Sequence, residues 1–292
     1  MRSFLLFVYA ASACMAATGA HAACRPQFTT HSQTVNTTGV MLGTGNVTVE
    51  RFTISVRDND DDECIVQLRV SRTAPENPAI PPYVLLSRNQ PISIAPNELI
   101  ATTSSDLSIR AGGGSNGSPS LFELRLPTEW GLKAGDYTDP LQLSLIAPDG
   151  SVLDRLNLNV HIVIPASVAL RLVGATGGRE GPARVDLGIL SSTQQVRSQP
   201  FGARVWSTSP YSITFRSDHH GRLVQNGGPD SILYQFTMDN RPVDLTSGST
   251  HFIFDRHTPS QGDLHRMSVL VSPVRALAGQ YSDRVTVTVT AM

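Results

Sequence analysis

The stretch AGQYSDRVTVTVTAM, residues 278–292, decides how this chain is read. Val285, Val287 and Val289 alternate with Thr286, Thr288 and Thr290, so one face is apolar and the other polar, the period of a half-buried β-strand. Its opening recurs earlier as AGDYTD, residues 134–139, followed by a strand predicted over Leu141 to Ile146, the turn sequence APDG, and a returning strand from Val152 through Ile164. After AGQYSD a comparable strand begins and the sequence stops at Met292. If the two regions share an architecture, the second lacks the final strand that the first supplies for itself. It would then expose a sheet edge and a slice of core, and unpaired N–H and C=O groups there invite another strand to add. A second reading stays open, in which the C-terminal region closes by a different topology with its last strand central.

Short alternating runs recur along the whole sequence: NVTVERFTISV, CIVQLRV, LFELRLP, LQLSLI, LNLNVHIVI, SVALRLV, YSITFRS, ILYQFTM and MSVLVSP. Long helical periodicity is absent, and 23 glycines with 19 prolines supply corners and strand ends, so the chain reads as all-β. In HIVIPASVALRLVG a proline joins two strand-like runs, and a proline would remove a ladder hydrogen bond from a central strand. The predicted division is residues 1–22, residues 23–164 as an N-terminal β-sandwich, and residues 165–292 as a C-terminal one.

At 292 residues, with 40% hydrophobic and 16% charged content, the chain is long enough for two modest cores. Lys plus Arg (23) nearly balances Asp plus Glu (24), and no basic stripe interleaved with aromatics is present, which speaks against a nucleic-acid partner. Arg2 precedes a short apolar run rich in small residues and then Ala20-His21-Ala22, the layout of a secretory signal peptide cleaved before Ala23. Cleavage removes Cys14 and leaves Cys24 and Cys64, and an even pair in an exported chain reads as a disulfide. Closing a loop of about 40 residues would contribute roughly 4 kcal/mol on the chain-entropy model.

The segments SVALRLVG, VDLGIL, VWSTSPYSITFRSDHHGRL, ILYQFTMDNRPVDL and LAGQYSDRVTVTVTAM together resemble the spore coat protein U domain, which is similar to pilins of archaic chaperone-usher fimbriae. The resemblance covers most of residues 166–292; the N-terminal region resembles the family more weakly, through AGDYTD and a cysteine near its start. It implies two immunoglobulin-like sandwiches, the C-terminal one an incomplete pilin-like sandwich lacking its final strand. It also implies an acceptor groove bordered by Val285, Val287 and Val289, with Tyr281 at the preceding corner. The implied partners are a periplasmic fimbrial chaperone, an outer-membrane usher, and a neighbouring pilin subunit that donates a strand. With almost no sequence between the expected cleavage site and Cys24, the chain is expected to accept a strand without giving one. That matches a two-domain tip adhesin, secreted through the periplasm to the cell surface, acting in surface attachment and biofilm formation. A spore-coat-like or extracellular matrix protein using the same strand exchange, without an adhesive tip, is the alternative.

Binding loops of an N-terminal adhesin domain are expected at its end distant from the C-terminal domain. The leading candidate is the proline-restricted apolar run Ile80, Pro81, Pro82, Tyr83 and Val84, against the alternative that Tyr83 to Leu86 is a buried strand. Trp130 and Leu132 form a second candidate, against a buried Trp in a sandwich core. The segment from Arg110 to Ser120, RAGGGSNGSPS, reads as a loop suited to the distal end. Asp58, Asp60 and Asp62 alternate as calcium ligands could, but without the glycine and distal Glu of an EF-hand loop. His219 and His220 in SDHHG read as a turn rather than a metal pair. No nucleophile elbow, HExxH or phosphate-binding loop occurs, so neither an enzyme nor a cofactor is expected.

Overall fold

A computed structural model describes residues 24–58, 63–98, 106–177 and 182–292. The expected leader, residues 1–22, lies outside the described residues, as do Asp60 and Asp62 of the acidic run. Every regular element among the described residues is a β-strand, and the strands build two sandwiches with separate cores on either side of Pro165.

In the first sandwich one sheet runs, neighbour to neighbour, Pro26–Phe28, Val47–Asp58, Ser118–Pro127, Val84–Ser87 and Gln90–Pro91. The facing sheet runs Ser32–Asn36, Val152–Ile164, Gly135–Ile146, Cys64–Arg72 and Ile94–Ala95, with Leu107–Ala111 also paired to Cys64–Arg72. Alternation puts Phe52, Ile54 and Val56 of one sheet opposite Leu141, Leu143, Leu145, Leu156 and Leu158 of the other, all buried. Phe52 and Phe122 stack with ring centroids 5.5 Å apart. Each such side chain withdrawn from water stabilises the fold by about 1.5–3 kcal/mol before entropy is charged. A disulfide joins Cys24 to Cys64, tying the start of the described chain to the first residue of Cys64–Arg72.

In the second sandwich the larger sheet runs Val168–Val173, Phe201–Ser207, Asp263–Val271, Gln235–Met238 and Arg241–Val243, with Val196–Arg197 also on Asp263–Val271. Against it lies a sheet of Thr250–Phe254, Tyr211–Ser217 and Val285–Ala291. A smaller sheet holds Ser231–Leu233, Arg222–Gln225 and Tyr281–Ser282. Tyr211, Ile213, Phe215, Phe236 and Met267 fill the core between these layers.

Candidate functional site

The repeated AGxYxD segments fold into the same corner twice. Tyr137 donates its hydroxyl proton to the Lys133 carbonyl at 2.9 Å, and Tyr281 donates to the Leu277 carbonyl at 2.8 Å, each four residues upstream. This is the backbone tether known as a tyrosine corner in immunoglobulin-like sandwiches. Two residues on, Asp139 accepts from Tyr83 Oη at 2.5 Å and pairs with Arg72. Asp283 accepts from Tyr234 Oη at 2.5 Å, from Ser217 Oγ at 2.6 Å and from the His219 backbone N–H. Burial, and then the hydrogen bond to a carboxylate, push the Tyr83 and Tyr234 hydroxyls well above the ordinary tyrosine range. The one Tyr281 hydroxyl proton is shared between the Leu277 carbonyl and Asp230 Oδ2, each 2.8 Å away, and at the surface the Leu277 N–H, with that shared proton, holds the Asp230 carboxyl below the usual carboxylate range.

Beyond this shared corner the two halves diverge. Gly135–Ile146 is flanked on both sides, antiparallel to Val152–Ile164 and antiparallel to Cys64–Arg72. Its inward residues Leu141, Leu143 and Leu145 are no more than 1% exposed. Val285–Ala291 pairs antiparallel to Tyr211–Ser217 along one side, and among the described residues nothing pairs with its other side. Its inward residues Val285, Val287 and Val289 pack on the core and stay half-exposed. Counted from the tyrosine, these valines stand where Leu141, Leu143 and Leu145 stand in the first half.

The orientation of the free edge follows from the ladder. Asp218 N–H bonds to the Arg284 carbonyl at 3.0 Å and Met292 N–H to the Pro210 carbonyl at 2.8 Å. In an antiparallel pair hydrogen-bonded and non-bonded positions alternate, so the even residues between 284 and 292 point their backbone groups at Tyr211–Ser217. The N–H and C=O of Val285, Val287, Val289 and Ala291 therefore face the open side.

A second lip matches the first. Val168–Val173 is the edge of its sheet, paired with Phe201–Ser207 alone. Thr208 N–H bonds to the Ser167 carbonyl at 3.0 Å, and the same alternation aims the backbone groups of Val168, Leu170 and Leu172 outward. Their side chains lie on the face that holds buried Ala203 and Val205, yet Leu170 is 36% and Leu172 39% exposed. The start of this lip and the end of the other converge on the turn Ser207–Pro210, through Ser167 and Met292. SVALRLV reads as a strand, and the alternation of Val168, Leu170 and Leu172 is the signal in the sequence for its apolar face toward the groove.

Two of the expected binding loops fall at the junction of the sandwiches and not at the far end. Ser118–Pro127 runs from the far end of the first sandwich toward the second, so the loop that follows it emerges at the junction of the two. Trp130 and Leu132 line a cleft there with Pro82, Pro127, Pro259 and Ser260, and Ala134 N–H bonds to the Thr208 carbonyl at 2.7 Å. The placement of Pro82, Trp130 and Leu132 at the end distant from the C-terminal half is thereby corrected. Ile80 and Tyr83 pack on the first core and Pro81 is buried, while Pro82 and Val84 are exposed. Leu85 to Ser87 continue as buried strand. The far end carries the Ala147–Gly150 turn and Gly112 to Gly117, the middle of the 110–120 segment expected there, while Arg110, Ala111 and Ser118 to Ser120 on either side are strand.

Asp58, the described member of the acidic run, is buried and accepts the Arg25 backbone N–H at 3.0 Å. His219 and His220 lie in a turn, with His219 Nδ1 3.1 Å from Asp283 Oδ1 and His220 at φ 52°.

No family model and no curated protein matches the chain. Among solved structures it is similar to the chaperone–tip adhesion subunit pre-assembly complex CsuC–CsuE of archaic Csu pili of Acinetobacter baumannii: 14% identity, TM-score 0.42, covering 88% of this chain and 97% of that one. It is also similar to CfaE, the adhesive subunit of CFA/I fimbria of enterotoxigenic Escherichia coli, with 13% identity and TM-score 0.38 over 89% of this chain and 92% of that one. The CupB6 tip adhesin of Pseudomonas aeruginosa is 10% identical, with TM-score 0.35 over 83% and 85% of the two chains. These are likenesses, and the assignment of the groove rests on none of them.

Proposed function

We propose that this chain is a fimbrial tip adhesin whose C-terminal sandwich is a strand-accepting assembly module and whose N-terminal sandwich is the adhesive part. The observation that carries the reading is the contrast between the halves: the inward leucines of Gly135–Ile146 are sealed by Val152–Ile164, and the corresponding valines of Val285–Ala291 are not. Two lips presenting unpaired backbone groups over apolar side chains are what strand addition needs. The ladder supplies affinity and alternate side chains supply fit. The first half also serves as an internal template for the occupant: an antiparallel partner of Val285–Ala291 with alternating apolar residues, as Leu156, Leu158, Val160 and Ile162 are in Val152–Ile164.

In this reading a periplasmic chaperone covers the groove during transit, an outer-membrane usher exports the subunit, and a neighbouring pilin fills the groove at the cell surface. Attachment to a surface or glycan, and a role in biofilm, belong to the N-terminal sandwich.

The test builds the missing strand into the chain. In a version where residues 148–164 follow Ala291, the added hairpin can fold back into the groove. The parent chain should associate or require a chaperone, and the extended chain should be a monomer with a higher melting temperature. A parent chain that is already a monomer, and whose melting the extension leaves unchanged, would overturn the proposal.

A further inference from the structure

Where the two lips converge, the turn Ser207–Pro210 makes contacts that belong to neither lip alone. Ser207, Thr208 and Ser209 are buried polar residues, and their hydrogen bonds lead in different directions. Thr208 Oγ1 accepts from the Ser167 N–H at 2.9 Å and donates to the Pro165 carbonyl at 2.8 Å, gripping the segment that joins the sandwiches. Its own N–H reaches the Ser167 carbonyl, just ahead of the lip Val168–Val173, and its carbonyl receives Ala134 N–H at the tyrosine corner of the first sandwich. Two residues on, the Pro210 carbonyl receives Met292 N–H at the end of the other lip. Ser207 is held in turn by Thr258, through Ser207 N–H to Thr258 Oγ1 at 2.9 Å and Thr258 N–H to the Ser207 carbonyl at 2.9 Å.

We infer that occupation of the groove and the seating of the N-terminal sandwich are coupled through this turn, with Thr208 as the positioning residue. The inference rests on the strand-accepting reading of the groove. With one side of each ladder open, each lip is held by backbone hydrogen bonds along one side alone. A strand seated between them adds hydrogen bonds to both and restricts Ser167 and Met292, whose backbones are bonded to the turn that also holds Ala134. Ordering at one place lowers the cost of ordering at the other, and the coupling is reciprocal: a strand that steadies the first sandwich is itself held more tightly when that sandwich is held.

The chain carries its own reporter. Its two tryptophans, Trp130 and Trp206, flank Ser260 at the junction: Trp206 Nε1–H donates to the Ser260 carbonyl at 3.1 Å and Trp130 lines the cleft with Ser260.

The experiment titrates the full chain with a labelled peptide of residues 152–164. Binding is followed by anisotropy of the label, and the junction by amide hydrogen exchange at Ala134 and Thr208 together with tryptophan emission. Coupling predicts that saturating peptide slows exchange at both amides at least tenfold and shifts the emission. T208V should still bind peptide but show less than half of the slowing at Ala134, and T208S should restore it. Peptide that binds without changing exchange at Ala134 in the wild-type chain overturns the coupling alone, and that comparison needs no variant to fold. Peptide that does not bind overturns the strand-accepting reading and the coupling with it.

Discussion

Tyr137 and Tyr281 hold the same position in the two halves of the chain: each hydroxyl donates to the carbonyl four residues before it, at 2.9 Å and 2.8 Å. Each tether fixes the entry of the strand that follows. A net hydrogen bond of this kind contributes about 1 kcal/mol, so Tyr137→Phe and Tyr281→Phe should each lower stability by about that amount. Urea unfolding followed separately in the two halves, by exchange of their core amides, should assign the Tyr137→Phe loss to the first sandwich and the Tyr281→Phe loss to the second.

Leu143 and Val287 stand at matching distances from these tyrosines but in different surroundings. Truncating the buried Leu143 to Ala should cost about 2–5 kcal/mol, the usual range for a sealed leucine. Val287→Ala should cost about 1 kcal/mol or less in the parent chain, because its side chain is only half withdrawn from water. The cost at Val287 should rise clearly in the version that carries residues 148–164 after Ala291. Equal costs at Val287 in the two versions would mean that the added strand does not reach it.

Alkaline sensitivity follows from the buried tyrosines. Tyr83, Tyr211 and Tyr234 are raised above the ordinary value of 10.0, each first by burial and then by a neighbouring carboxylate. A raised value means that the folded state holds the proton more tightly than the unfolded chain. The stabilisation is complete below pH 10 and declines as the pH rises above it, since the unfolded tyrosines ionise first. Denaturant midpoints measured promptly between pH 9 and 11.5 should therefore fall, and the fall should be shallower in Tyr234→Phe.

Removing the Cys24–Cys64 link by substituting both residues with Ala should destabilise the first sandwich by roughly 4 kcal/mol on the chain-entropy model. Exchange at Val205 and Ile213 in the second core should be unchanged, because the link lies in the first sandwich. A loss that spreads to those amides would show that the two cores unfold together.

Much of this architecture was legible because the signals are local. Alternation of Val285, Val287 and Val289, the repeated AGxYxD, and the APDG turn each specify backbone geometry within a few residues. The second lip was legible in the same way, yet SVALRLV does not say which strand edge it will face. What could not be read were contacts set by distant partners. The proline-rich, apolar run from Ile80 to Val84 has the composition of an exposed loop, but Tyr83 is drawn inward by Asp139, 56 residues later in the chain. Trp130 sits where it does because Ser118–Pro127 ends against the second sandwich, and no local pattern records which end of a strand meets the neighbouring domain. Thr208 is one of many serine and threonine residues, and only the fold brings Pro165, Ser167 and Ala134 to it.

The lips of the groove, Val168–Val173 and Val285–Ala291, extend away from one shared turn. A strand lying between them and pulled along its own length would load its backbone bonds to both lips in shear, together, instead of peeling them one at a time. Under such a pull, that geometry would make the grip of the groove a matter of mechanical strength as well as affinity.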